Sequence, residues 1–134
     1  MRHVGAVATT FFLLFVPGCG SYLGSAQHAY QEGRYLEVAE NLGQHEAEVG
    51  QLEPAKQAHY GLYRGLSLLK LGDHDAAVQW LEFAANVEKK RPGSLQPAQR
   101  RELEDARDKL AKTIEAEQTE AMKLSTRPVG DAEP

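Results

Sequence analysis

The chain has 134 residues, 15 basic against 19 acidic side chains, 42% hydrophobic residues and a single cysteine. That length suits one domain with one core, and the acidic balance argues against nucleic acid as a partner. One cysteine excludes an intrachain disulfide, so stability must come from packing or binding.

Met1, Arg2 and His3 make a short positive start, and residues 4–16 form a largely apolar run. The run has the length of a signal-peptide core and is too short to span a bilayer comfortably. Val16, Pro17, Gly18 and Cys19 follow it, so the one cysteine falls where such a run should end. This segment resembles the lipobox of bacterial lipoproteins. Gly18 supplies the small residue before the cysteine, Val16 stands for the usual leucine, and Pro17 departs from the pattern. The resemblance implies a signal peptide at 1–18, cleavage before Cys19, acyl chains on the Cys19 sulfur and amine, and a short tether at 19–21. Loss of Arg2 with that peptide leaves 14 basic against 19 acidic side chains. Two or more acyl chains, at about 0.8 kcal/mol per buried methylene, hold a small protein on a membrane. Gly20 in place of aspartate implies the outer membrane, facing the periplasm, if the cell is Gram-negative.

Residues 22–118 read as helix throughout, with breaks at Gly33, around 50–54, at Gly72 and Asp73, and at Pro92 and Gly93. The predicted helices cover 22–32, 35–49, 54–71, 74–91 and 97–118, an all-α domain; residues 119–134 lose the apolar stripe and read as a disordered tail. In the third helix Ala55, Ala58, Leu62, Leu66 and Leu69 recur at three- and four-residue steps. In the fourth, Ala77, Leu81 and Ala84 do the same. Pro54 and Pro97 suit first-turn positions, and Asp73 can cap the fourth helix through its carboxylate. The fifth helix carries a narrow stripe, Leu103, Ala106, Leu110 and Ile114, with charge elsewhere, as a capping helix should. Lys89, Lys90, Arg91, Arg100 and Arg101 flank the Pro92-Gly93 break and read as solvated helix ends, where cations suit the C-terminal dipole.

The stretch from Gly33 to Leu42 aligns with that from Gly72 to Leu81 at a separation of 39 residues. Both resemble the turn and second helix of tetratricopeptide repeats, with Gly65, Leu68, Gly72, Asp73, Ala77, Leu81 and Ala84 at the family's small and apolar positions. A unit of that family has 34 residues, so five extra residues fall around 48–53. Gly61, Arg64, Lys89 and His45 depart from the pattern. The resemblance implies two antiparallel helix-hairpin repeats closed by the fifth helix.

Little in the sequence points to catalysis. His28, His45, His59 and His74 are spread over four helices without an HExxH pair, Gly65-Leu66-Ser67-Leu68-Leu69 lacks the closing glycine of a nucleophile elbow, and Asp73 with Asp75 reads as a cap. The expectation is no enzyme, no cofactor and no metal. In the family that the repeats resemble, first helices line a groove, which here implies Leu23, Gln27 and Tyr30, then His59, Leu62, Leu66 and Leu69. The preferred reading is that Leu62, Leu66 and Leu69 are covered by Leu103, Leu110 and Ile114, with the open groove as the alternative. Trp80 is either a surface anchor for a partner or a core residue. The candidate partner-binding set is therefore Tyr30, His59, Leu62, Leu66 and Trp80, with Cys19 for lipid. The function expected is a membrane-anchored module that binds another envelope protein or peptide; the alternative is a structural lipoprotein that associates with itself.

Overall fold

A computed structural model of the chain describes residues 21–127, so the expected signal peptide, Cys19 and the tail from 128 onward lie outside the described residues. Every regular element among them is helical: α1 (Ser21–Gln31), α2 (Tyr35–Gln44), a 3-10 segment (Glu46–Gln51), α3 (Pro54–Leu71), α4 (His74–Lys90) and α5 (Pro97–Ser125).

The first and third helices end in the same way. Gly33 (φ 77°) and Gly72 (φ 82°) take the left-handed conformation, where a Cβ would cost about 1–2 kcal/mol. Each glycine N–H donates back into its helix, to Tyr30 at 3.0 Å and Leu69 at 3.2 Å, and the next N–H reaches one residue further, Arg34 to Ala29 at 2.9 Å and Asp73 to Leu68 at 3.0 Å. These bonds satisfy carbonyls that the helix end leaves open and fold the chain back sharply. Asp73 then starts α4, its Oδ1 accepting from the Ala76 N–H at 3.2 Å. Pro54 and Pro97 open α3 and α5, where their missing N–H is no loss.

α3 is the centre of the structure, packing against α1, α2, α4 and α5. Toward α2 it presents Tyr60, whose hydroxyl donates to the Leu42 carbonyl, and Arg64, which lies against Gly43. Toward α4 it presents Gly61 and Gly65. A Cβ built on Gly61 would lie 2.9 Å from the Trp80 carbonyl oxygen, and one on Gly65 would lie 2.7 Å from the Leu81 side chain. The two glycines therefore set how closely α3 and α4 approach, and Leu62, Leu66, Ala77, Leu81 and Ala84 fill the buried space around them. Leu103, Ala106 and Leu110 of α5 close the core, and Arg107 ties α5 to α4 through Glu82 at 2.7 Å.

Two boundaries differ from the sequence reading. The second helix stops at Gln44, not 49, because the Leu42 carbonyl accepts from Tyr60 and from the His45 N–H at 3.0 Å, and the chain continues as 3-10 turns. The fifth helix runs to Ser125, so residues 119–125, expected in the tail, are helical. Its apolar stripe ends near Ile114, but Ala116, Gln118, Glu120, Ala121, Met122, Lys123 and Leu124 are strong helix formers and carry the helix on.

Candidate binding groove

Of the residues singled out in the sequence, the structure brings Tyr30, His59 and Leu66 to one face, where α1, α3 and α5 adjoin. Tyr30 stands near the end of α1. His59, Tyr63, Leu66 and Lys70 occupy one side of α3 at helical spacing, and Gln99, Glu102 and Lys109 face them from α5. A groove of about 270 Å³ lies here, with Tyr30, Leu66, Lys70, Glu102 and Ala106 among its walls.

The aromatic rings order this face. Tyr30 meets Tyr63 edge-on, ring centroids 5.4 Å apart, and Tyr35 at 5.3 Å; Tyr63 in turn packs against His59 at 4.7 Å. Gln99, in the first turn of α5, brings its side-chain nitrogen to 3.5 Å from His59 Nδ1 and also hydrogen-bonds Tyr63.

Burial keeps these groups uncharged. It pushes Tyr30 up to about 12, with the neighbouring Glu102 adding to the effect, and raises Tyr63. Burial lowers His59 against a smaller opposing contribution from the Leu23 backbone, so the imidazole is neutral at pH 7. Glu102 is raised by burial, with Lys70 working in the other direction. The result is a face of phenol, imidazole and amide groups with a charged rim. Such a face suits hydrogen bonding and aromatic contact with a peptide or protein chain. Among the described residues no group of three His, Cys, Asp or Glu side chains is arranged to hold a metal ion.

The other two candidates sit elsewhere. Leu62 is fully buried, and Leu66 is buried save for the part that floors the groove, so Leu62 holds the core and contacts no partner. Trp80 is half-buried on the far side of α3, packed edge-on against Tyr60 at 5.1 Å and Phe83 at 5.6 Å, with the Arg64 guanidinium 5.0 Å from its ring centre. It is part of the packing between α3 and α4 and does not join the groove. Tyr63, the buried ring that backs Tyr30 and His59, is the residue of this face that sequence reasoning missed. Its spacing, four after His59 and three before Leu66, was the available signal.

No protein-family model matches the chain, and neither the curated proteins nor the solved structures searched contain a match.

Proposed function

We propose that the chain is a lipid-anchored module of the bacterial envelope that binds another protein or peptide through the face formed by α1, α3 and α5. The observation that carries this reading is the Tyr30–Tyr63–His59 face. It seats the half-buried Tyr30 and His59 rings on the buried Tyr63 ring, which holds them rigidly with hydrogen-bonding edges at the surface, as contact surfaces do.

The tetratricopeptide-like arrangement is part of the proposal, and equivalences of position support it. Turns and buried residues repeat at 39: Ala29 and Leu68, Gly33 and Gly72 in the turns, Val38 and Ala77, Leu42 and Leu81 in the core. From α3 to α5 the offset is 43. Arg64 lies against Gly43 as Arg107 lies against Glu82, and Tyr60 and Tyr63 correspond to the buried Leu103 and Ala106. On this register the glycines that admit α4, Gly61 and Gly65, correspond to the exposed Glu104 and Asp108. Charged side chains there disfavour packing of a further helix, which is what a terminal cap requires.

Self-association is the second reading. Glu117 pairs with His74, the first residue of α4, so the turns from Gln118 to Ser125 run past α4, and there Met122 is 68% and Leu124 61% exposed. A photo-reactive residue placed at Tyr30 in living cells distinguishes the two. Adducts with a different envelope protein, absent from the same probe at exposed Gln79, are expected. Adducts formed only between copies of this chain, and strongest from Met122, contradict the proposal in favour of self-assembly.

A further inference from the structure

We infer that the end of the domain nearest Cys19 is a lipid-contacting surface, on which the basic side chains around the α4–α5 connection rest against anionic phospholipid headgroups. The inference rests on the lipoprotein reading and adds what the folded part does at the bilayer.

Topology gathers the relevant residues. In an antiparallel stack α1, α3 and α5 begin, and α2 and α4 end, at the same end. Side-chain contacts fix this. Tyr22 in the first turn of α1 stacks on His45 at the close of α2, with ring centroids 3.8 Å apart. Gln99 in the first turn of α5 meets His59 near the start of α3. Pro54, which opens α3, shares a cavity with Lys90 and Arg91 at the end of α4. Ser21, the first described residue, thus stands at the end that carries Lys89, Lys90, Arg91, Arg100 and Arg101, all of them exposed.

The acids at this end do not cancel that cluster. Two acids adjoin it in sequence. Glu102, after Arg101, lines the groove beside Lys70, and Glu88, before Lys89, is turned inward: its carboxylate accepts from the N–H of Gly93 at 3.0 Å and of Leu95 at 2.8 Å, with Arg100 at 3.7 Å. Glu46, Glu48 and Glu53 belong to the α2–α3 connection, where Glu46 is paired with Arg64 at 2.9 Å and Glu48 with His45 at 3.3 Å. The opposite end is rich in exposed acids, Glu32, Glu37, Asp73, Asp75, Glu117 and Glu120. A chain of net charge −4 therefore keeps its exposed basic cluster where the tether begins. Attraction between such a cluster and anionic lipid fades over a Debye length, about 8 Å at physiological salt, so only a short tether brings it into play. Gly20 alone separates Cys19 from the first residue of α1.

The test uses the full chain purified from native membranes and reconstituted into vesicles of phosphatidylcholine, with or without phosphatidylglycerol. Acetylation of each lysine is timed by mass spectrometry, and the intact mass reports separately on acylation of Cys19. Lys89 and Lys90 should react several-fold more slowly on the anionic vesicles, Lys123 should react equally on both, and high salt should erase the difference. Arg100→Glu with Arg101→Glu should lose most of the protection at Lys89 and Lys90. Equal rates on both vesicles in an acylated chain overturn the inference and leave the anchor standing. A chain without acyl mass overturns the anchor, and with it the tether on which this orientation depends. Protection by soluble polyglutamate as strong as that by anionic vesicles assigns the cluster to an acidic protein and also overturns the inference.

Discussion

Replacing Gly61 by alanine sets two effects against each other at one atom. Helix propensity favours the change by about 0.8–1 kcal/mol. Packing opposes it, because the new methyl would lie 2.8 Å from Phe83 Cδ1, 2.9 Å from the Trp80 carbonyl oxygen and 3.1 Å from the Ala84 nitrogen. The phenyl ring can swing aside, but the other two atoms are backbone, so α4 must retreat by several tenths of an ångström. Overpacking of this kind costs about 1–3 kcal/mol, and the upper part of that range applies where no rotamer change relieves it. The net loss is about 1–2 kcal/mol, and with a urea slope of about 1–3 kcal/mol per molar the unfolding midpoint falls by roughly 1 M. Gly24 supplies the control, since a Cβ there meets nothing within 4 Å and propensity alone should make Gly24→Ala neutral or stabilising. A Gly61→Ala midpoint at or above that of the native chain, with Gly24→Ala behaving as stated, would refute the close approach of α3 and α4.

Asp73→Ala removes the cap on α4 and should cost about 1 kcal/mol, read as a lower melting temperature with unchanged helical circular dichroism. His59 is held below its ordinary value by burial, so its contribution to stability is complete above about 6.5, where both states are neutral, and is lost as pH falls and the unfolded chain takes up the proton first. The urea midpoint should drop between pH 7 and pH 5, and His59→Gln should flatten that drop. Burial alone would push Glu88 up, but the N–H groups of Gly93, Leu95 and Ser94 together with Arg100 outweigh it and hold the carboxyl below its usual value. Its contribution is therefore present above the unfolded value near 4.5 and lost as pH falls through the lowered one; Glu88→Gln should remove that part of the acid sensitivity. Truncation after Gln118 should leave the melting temperature within a few degrees of native, because among the described residues the most C-terminal buried side chain is Leu110 and the Glu117–His74 pair is retained.

The local devices were legible because each is written within a few residues. Gly33 and Gly72 mark left-handed helix ends, Pro54 and Pro97 mark first turns, and Asp73 marks a cap, and all five act as their chemistry dictates. Apolar spacing found Leu62, Leu81 and Leu103 but could not say which face of α3 each neighbour takes, since α3 is covered on several sides. Long-range pairs left no local trace. Arg64, a departure from the repeat pattern, packs over the Trp80 ring and reaches Glu46, and Tyr60 ends α2 early by taking the Leu42 carbonyl. For the same reason Trp80 reads as surface or core from its own helix, and only Tyr60 and Phe83 decide its half-buried place. On the α1–α3–α5 face, Tyr30 and His59 stand out in the sequence through the family resemblance, whereas Gln99 and Glu102 enter through α5, on the polar side of its stripe.

The proposed anchor meets its most direct test in cells fed an alkyne-bearing palmitate, comparing the native chain with Cys19→Ser. The account predicts a membrane-bound, labelled native protein that begins at residue 19 and carries the label there, and an unlabelled variant. A native chain recovered without label, or labelled equally after Cys19→Ser, would contradict it.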